Sequence, residues 1–342
     1  MQKVGLIIFF VLLLVYSSAQ DSISVDQHHL SDSLRLEAID NAALKFPRIR
    51  QFSITHEENG IGKITSKLNG NNLFEGDFRS YRTRISFNLP VFQRKNSNLV
   101  ARLNVIHQFY ELSNVKSFDL KNVVQDERMY IPMFSTGLSY VRTEKIFGRD
   151  MTLIASGAGI FDPPLARSQF TFTGMATTPL IQKEGTRLSV GAVMLIDPAS
   201  PLPFFLIANY YHKFKSLDLD LMVDLPYSMA LRKEIGKKSS VTLFNELGGS
   251  NSFFDFVNPL PDITSQKLTL SSMEIKSGLL AEYRLTKKAV VSVSAGANYM
   301  VNSRIREANS GPKDYFLENR HKPVPFVQIG FSLLPFWKGL NL

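Results

Sequence analysis

The chain has 342 residues, no cysteine and a formal net charge of +9. Without cysteine it forms no disulfide bonds and cannot carry a lipid anchor on a cysteine after export. The basic residues are dispersed along the sequence rather than gathered in one stripe, which argues against a nucleic-acid partner. Attraction to the anionic face of a membrane is the milder interpretation of this charge.

The first twenty residues predict a secretory signal peptide. Lys3 supplies a positive start, Val4 to Tyr16 form an apolar run, and the small residues up to Ala19 form a cleavage site. The run is shorter than the roughly 20 apolar residues of a membrane-spanning helix, so a retained anchor is the less favoured alternative. We therefore expect export, with a signal peptide at 1–19.

The rest of the sequence alternates apolar and polar residues in long runs, which predicts strands with one apolar and one polar face. Clear examples are 82–91, 217–225, 273–285 and 291–302. A soluble sandwich also alternates. The long runs, the small residues beside charges on polar faces, and aromatic residues near strand ends favour a membrane barrel instead. The aromatic residues are Tyr110, Phe134, Tyr140, Phe204, Phe205, Tyr210, Tyr211, Phe336 and Trp337.

Short turns and longer connections alternate along the chain, as they do in outer-membrane barrels. The predicted short turns are Gln93–Asn98, Phe147–Asp150, Gln182–Gly185, Lys215-Ser216, Gly236–Lys238 and Thr286–Lys288. The other connections are Glu58–Gly76, Leu112–Arg128, Asp162–Arg167, Asp197–Pro201, Pro226–Ser228, Gly248–Gln266 and Ser303–Lys322. This pattern predicts an all-β fold, a transmembrane antiparallel up-and-down β-barrel of about 14 strands with both termini periplasmic. About 12 strands result if Pro226–Ser228 lies inside one bent strand.

The last predicted strand alternates from Val327 to Leu333, and Phe336 follows it near the carboxyl terminus. It resembles the terminal strand of outer-membrane barrels, whose near-terminal aromatic residue helps the barrel-assembly machinery to recognise its substrate. We therefore expect a lead segment at 20–48, a barrel at 49–336 and a tail at 337–342.

Several short motifs support a resemblance to a family. They are the Ser-Ala-Gln cleavage region, Phe46–Arg50, Phe87–Pro90, Pro201–Pro203 and Val223–Pro226. With these motifs the chain resembles an outer-membrane β-barrel family common in Bacteroidetes. The resemblance covers most of the mature chain and implies a barrel, and it carries over no activity and no functional residue.

The lead segment contains one helix-like stretch, Leu30 to Lys45, with apolar residues at helical spacing. It is either a loosely ordered periplasmic segment or a plug inserted into the lumen.

Catalytic and metal-binding patterns are weak. Asp26, His28 and His29, or His56 and His321 beside Glu57 and Glu58, offer metal ligands but match no known spacing. A hydrolase would need a serine paired with His107 or His212, and no Gly-x-Ser-x-Gly element is present. We assign no catalytic, metal or cofactor-binding residue and expect no cofactor.

Charged residues on the polar faces are the better functional clue, because charge facing lipid is costly. The predicted lumen-lining residues are Arg82, Arg84, Asp218, Asp220, Asp224, Glu274, Lys276, Glu282 and Arg284. Such charges either line a wet pore or pair across the lumen and seal it.

The sequence therefore predicts a passive or weakly selective outer-membrane channel for small polar solutes. The alternatives are a sealed barrel that acts through its extracellular loops and, less favoured, a membrane hydrolase. The expected partners are outer-membrane lipid and lipopolysaccharide, the barrel-assembly machinery and small polar solutes, with no nucleic acid.

Overall fold

The computed structural model describes residues 39–342, except 95, 198, 199, 201, 257–259, 264–266, 309, 312, 338, 339 and 342. The predicted signal peptide, most of the lead segment, and Asp26, His28 and His29 lie outside the described residues. Residues 39–45 are helical and belong to a unit separate from Phe46–Leu342. No helix in the described part of the chain is long and apolar enough to span a membrane.

Residues Phe46–Leu342 form one antiparallel sheet that closes into a ring. Its strands are β1 Phe52–Leu68, β2 Asn71–Gln93, β3 Ser97–Ser117, β4 Glu127–Ile146, β5 Arg149–Phe161, β6 Ser168–Lys183, β7 Thr186–Ile196, β8 Phe204–Phe214, β9 Leu219–Leu225, β10 Ser228–Ile235, β11 Ser239–Phe254, β12 Leu268–Arg284, β13 Ala289–Glu307, β14 Tyr315–His321, β15 Val324–Leu333 and β16 Leu340–Asn341. From β1 to β13 each strand pairs with the next, and β1 also pairs with β14 and β15, which closes the ring.

Strands β14 and β15 share a single position in the ring. Both pair with β13 on one side and with β1 on the other, and only Lys322 and Pro323 separate them. Strand β16 adds only a short parallel bridge to β2. The described residues therefore form a barrel of about 14 strand positions, as predicted. The alternative of about 12 is wrong, because β9 and β10 are separate strands on either side of Pro226.

The outer face of the barrel is apolar and its inner face is polar. Exposed apolar side chains include Leu138, Phe172, Leu206, Leu243, Leu279, Val293 and Ile329. Buried polar side chains include Gln108, Asp220, Arg232, Thr242, Glu274, Ser294 and Asn298. Soluble proteins bury apolar residues instead, so this arrangement is that of a transmembrane β-barrel. The predicted fold class is confirmed.

Connections differ between the two ends of the barrel. The short-turn end carries 94–96, 147–148, 184–185, 215–218, 236–238 and 285–288. The loop end carries 118–126, 162–167, 197–203, 255–267 and 308–314, together with the tight turns 69–70 and 226–227. The predicted loop Glu58–Gly76 is wrong, because β1 and β2 continue into the hairpin turn Asn69-Gly70. Their φ angles of +48° and +87° fit a two-residue turn with positive φ at both positions.

Strand β1 shows why that loop was mispredicted. In its first half Ile54 faces outward and Glu57 inward, as in a membrane wall. After an irregularity between Asn59 and Gly62, Lys63 faces outward while Ile64 and Leu68 are buried. The second half is thus patterned like a soluble strand, because its outer face meets water rather than lipid. Strands β11, β13 and β14 likewise extend into segments predicted as loops.

We expect Gly296→Ala to destabilise the barrel. Gly278 and Gly296 face each other across β12 and β13, and a Cβ on Gly296 would lie 2.0 Å from the Ser277 carbonyl oxygen. Overpacking of this kind costs about 1–3 kcal/mol. Urea unfolding of the protein refolded in lipid vesicles measures the loss. Gly174→Ala is the control, since its Cβ would lie 3.8 Å from the nearest atom, the Met194 methyl. Equal losses in both variants would contradict the prediction.

Candidate functional site: an apolar chamber above an ion-paired floor

At the loop end the lumen contains a chamber with apolar walls. Its wall residues come from β1–β4 and β11–β14 and include Ile64, Phe78, Leu112, Met129, Phe254, Leu270, Ile305 and Leu317. The chamber holds about 1000 Å³ of space not filled by atoms, counting the part open to solvent. Concave spaces with mostly apolar walls and a few polar groups are typical of small-molecule sites.

Described residues of two loops line the chamber at the loop end. Val124 in loop 118–126 and Phe256 and Leu260 in loop 255–267 line it. Phe256 packs edge-on against Phe254 with ring centroids 4.9 Å apart. We call the described residues of these two loops the lid.

The two lid loops are joined by a polar cluster, Lys121, Asn122 and Asp262, which we call the latch. The Asn122 amide nitrogen donates to Asp262 Oδ2 at 2.8 Å, and the Asp262 backbone N–H donates to Asn122 Oδ1 at 3.2 Å. The Lys121 ammonium pairs with the Asp262 carboxylate. Asn122 is fully buried. Hydrogen bonds from Lys121 and then Asn122 lower the pKa of Asp262 below its usual 3.8. The latch therefore prefers the ionised carboxylate.

Beneath the chamber, two acidic and two basic side chains form the floor: Glu57, Arg82, Glu274 and Lys276. Arg82 lies 2.8 Å from Glu274 Oε1 and 3.9 Å from Glu57 Oε1. Lys276 pairs with Glu57 and lies 3.4 Å from Glu274. All four are largely buried. Because the positive and negative charges are equal in number, the floor is electrically balanced.

Neutral side chains extend the floor across the lumen. Arg82 Nε donates to Gln108 Oε1 at 3.1 Å, which also accepts from the Tyr110 hydroxyl at 3.0 Å. Asn298 donates to both Glu274 and Asn59, each at 3.0 Å. The network therefore joins β1, β2, β3, β12 and β13 through side chains in the lumen.

Below the floor, the segment Phe46–Gln51 lies across the short-turn end of the lumen. Arg48 pairs with Glu246 of β11 at 2.6 Å, and Arg50 pairs with Glu282 of β12 at 2.8 Å. Gln51 Oε1 accepts hydrogen bonds from the Phe336 and Trp337 backbone N–H groups at 2.8 and 2.7 Å. These contacts tie the beginning of the barrel to distant strands and to the carboxyl-terminal tail.

Most of the predicted lumen-lining residues face the lumen. Arg82, Glu274 and Lys276 form the floor, and Glu282 pairs with Arg50. Asp220 accepts from the Tyr211 hydroxyl at 2.6 Å. Asp224 accepts from the Asn209 amide at 2.5 Å. Arg84 and Arg284 continue the inward alternation of β2 and β12.

The predicted position of Asp218 in the lumen is wrong. The residue lies in the turn 215–218, before β9 begins at Leu219, and pairs with Lys213 at 3.0 Å while remaining exposed. Its φ of +49° is left-handed, a conformation that aspartate tolerates better than most residues. The turn therefore takes the residue out of the wall.

The described histidines do not form a catalytic or metal centre. His56, His107 and His212 lie on the outward alternation and hydrogen-bond to Thr83, Tyr130 and Thr186 respectively. His321 instead lines the chamber. The hypothesised pairing of His56 with His321 therefore fails, because the two face opposite sides of the wall. No group of three metal-ligand side chains occurs among the described residues.

The chamber was not predicted from the sequence. Its walls lie largely in 58–76, 112–128, 248–266 and 303–322, the segments predicted as loops. The available signal was the reversed alternation of Ile64, Ser66 and Leu68 with Lys63 and Lys67.

No protein-family model matches the sequence, and no curated protein matches it. Solved barrels resemble the structure distantly. An outer membrane channel from Pseudomonas putida F1 is 7% identical, with 83% of this chain and 96% of that chain covered and a TM-score of 0.34. The toluene transporter TodX of Pseudomonas putida is 12% identical, with 85% and 93% covered and a TM-score of 0.34. The translocator domain of the autotransporter NalP from Neisseria meningitidis is 10% identical, with 90% and 96% covered and a TM-score of 0.31. Such distant likenesses transfer no activity, and the fold assignment rests on this chain's own sheet.

We expect Arg82→Met to destabilise the barrel strongly. The substitution leaves Glu274 buried without its closest cation, and breaking a buried pair in this way costs about 3–5 kcal/mol. The double variant Arg82→Met/Glu274→Gln removes both charges and should recover most of the loss. Urea unfolding measures each variant. Arg128→Met is the control, since the Arg128 side chain is 84% exposed and its pair with Glu111 lies on the outer face, and it should change stability by less than about 0.5 kcal/mol. A double variant no more stable than the single one would contradict this account of the floor.

We expect acid to release the lid. The pKa of Asp262 is lowered when the latch is closed, so its contribution is fully present above the usual 3.8 and is lost as pH falls through the lowered pKa. Because the chain has no cysteine, spin labels at Leu120→Cys and Pro261→Cys report the distance between the loops. The distance distribution should be narrow at neutral pH and broad in acid.

The variant Asp262→Asn should give the broad distribution already at neutral pH, because it keeps the shape of the side chain and removes its charge. Asp314→Asn in loop 308–314 is the control and should leave the distribution narrow. A distribution insensitive to pH in the wild-type protein would contradict a role for the Asp262 charge.

Proposed function

We propose that this protein is an outer-membrane barrel that takes a small apolar molecule into the chamber from the loop end. The observation that carries the proposal is the apolar lining of the chamber. A lumen that only conducted polar solutes would gain nothing from apolar walls there, since those walls hold water poorly. Burial of apolar ligand surface against them supplies the binding free energy.

Several features support the location and orientation. Residues 1–19 have the form of a signal peptide, and outer-membrane barrels place short turns in the periplasm and longer loops outside. The outward side chains Arg79, Glu111 and Arg128 lie on the loop side of Tyr81, Phe109 and Tyr130. Arg79 pairs with Glu58, and Arg128 pairs with Glu111. In this orientation these charges would meet the lipopolysaccharide headgroups, and both barrel termini would lie in the periplasm. The same proposal includes insertion of the barrel by the barrel-assembly machinery. It also includes membership of the Bacteroidetes-type barrel family that the sequence resembles.

The channel for small polar solutes predicted from the sequence stays a prediction. A polar solute that crossed the lumen would have to pass the floor, where the charges are paired with one another. It would then have to pass the segment Phe46–Gln51. A stable single-channel conductance, with ion selectivity altered by Asp220→Asn/Asp224→Asn, would favour the polar channel over a sealed floor. A hydrolase has the least support, because three of the described histidines bond to neighbours on the outer face.

The test is quenching of a tryptophan in the lid by a brominated alkane. Phe256→Trp in a Trp337→Phe background places the protein's only tryptophan against the chamber. In lipid nanodiscs, 1-bromododecane should quench this tryptophan saturably, because occupancy of one chamber saturates. Phe109→Trp in the same background reports the outer face and should be quenched in proportion to the bromododecane in the lipid.

A matched pair of lid variants tests whether the chamber is the site. Val124→Arg places a charge against the chamber, and it should weaken the saturable quenching by about tenfold or more, since burying an unpaired charge is costly. Leu120→Arg adds the same charge to the same loop at a side chain that is 97% exposed, and should have no effect. Proportional quenching of both tryptophans, or equal effects of both arginines, would overturn the proposed function.

A further inference from the structure

Polar atoms without partners lie where the chamber meets the floor. His321 Nε2 and Asn319 Oδ1 are buried and have no hydrogen-bond partner among the described residues, although both residues line the chamber. They lie two residues apart on β14, so they project to the same side of the wall. Buried polar atoms without partners are costly and uncommon in native proteins. Both atoms have almost no accessible surface, so a polar group brought in by a ligand would satisfy them when the two side chains turn towards the chamber.

The chemistry of these two side chains restricts that polar group. The Asn319 amide nitrogen already donates to Ser303 Oγ at 3.4 Å, so the oxygen left over is an acceptor. The His321 ring packs edge-on against Phe78, with ring centroids 4.8 Å apart, so its nitrogen lies beside the apolar wall. Its free nitrogen accepts or donates according to the tautomer. The ligand group must therefore donate at least one hydrogen bond, which an ionised carboxylate cannot do.

The charges around the chamber also exclude an anionic group. Arg82 is the only lysine or arginine among the described lining residues, and it is engaged by Glu274. Glu127 adds a negative charge to the lining. A buried carboxylate would therefore find no uncompensated cation, and its desolvation would not be offset.

We propose that the occupant of the chamber is a neutral amphipathic molecule, an apolar body ending in a hydroxyl-type donor that binds Asn319 and His321. This inference rests on the proposed function and names its ligand class. The apolar body lies among Phe78, Leu270 and Leu317, and the hydroxyl end points towards the floor. Anionic lipids with the same chain are excluded by the donor requirement and by the charge balance.

The experiment compares three probes of equal chain length in the Phe256→Trp assay. Dodecane, 1-dodecanol and dodecanoate each compete with 1-bromododecane, and recovery of fluorescence is measured against the probe concentration in the lipid. With the chamber unaltered, dodecanol should compete at about tenfold lower concentration than dodecane, the advantage that a buried hydrogen bond supplies. Dodecanoate at neutral pH should compete no better than dodecane.

The double variant His321→Phe/Asn319→Leu separates the polar anchor from the apolar walls. It should remove the advantage of dodecanol and leave competition by dodecane unchanged. Asn104→Leu is the matched control, since Asn104 hydrogen-bonds to Ser135 at 3.0 Å and does not line the chamber. It should leave all three probes unchanged, and circular dichroism checks that each variant is folded.

The outcomes are distinct. Equal competition by dodecanol and dodecane would overturn the polar anchor while leaving an apolar chamber in place. Stronger competition by dodecanoate would overturn the neutral ligand class. Absence of saturable quenching by 1-bromododecane itself would overturn the proposed function, and this inference with it.

Discussion

The pairing of β1 with both β15 and β14 is the contact on which the rest of the barrel depends. In a bilayer an open sheet edge leaves N–H and C=O groups without partners, so the sheet is viable there only when it closes. Closure also creates an interior that lipid does not reach. Buried groups such as Arg82 and Glu274 are tolerated there because they can pair with one another rather than face hydrocarbon.

The chamber and the floor follow from where the barrel wall leaves the bilayer. Within the bilayer the outer face must be apolar, and the alternation of each strand then makes the inner face polar. Beyond the bilayer the outer face carries charges such as Lys63, which pairs with Asp77 at 2.7 Å, and the inner face becomes apolar. The change falls at the irregularity between Asn59 and Gly62 in β1. One strand therefore contributes to the polar floor below and to the apolar chamber above.

The same change explains what could be predicted from sequence. Alternation is a local property of the sequence, and it predicts the inward position of Arg82, Glu274 and Lys276. The short turns between alternating runs predict the order of the strands. The chamber could not be found while apolar residues were assumed to face lipid, because Ile64 and Leu68 then appear to belong to a loop. The ion pairs join β2 with β12, which are distant in sequence, so no spacing along one strand reveals them. Asp218 was misplaced because alternation alone does not indicate where a left-handed turn begins.

The floor has a mechanical consequence as well as an electrostatic one. The backbone pairing of β1 with β15 ends at Asn59, and its pairing with β14 begins at Ile64. Lys322 and Pro323, which separate β14 from β15, lie at this interruption. The floor spans this interruption with side chains: Glu57 of β1 pairs with Lys276 of β12, and Asn59 accepts from Asn298 of β13. The ion pairs and hydrogen bonds of the floor thus also connect β1 to β12 and β13 beside the interruption in the backbone ladder. Because the chamber begins directly above, at Phe78 and His321, its shape depends on the floor remaining paired.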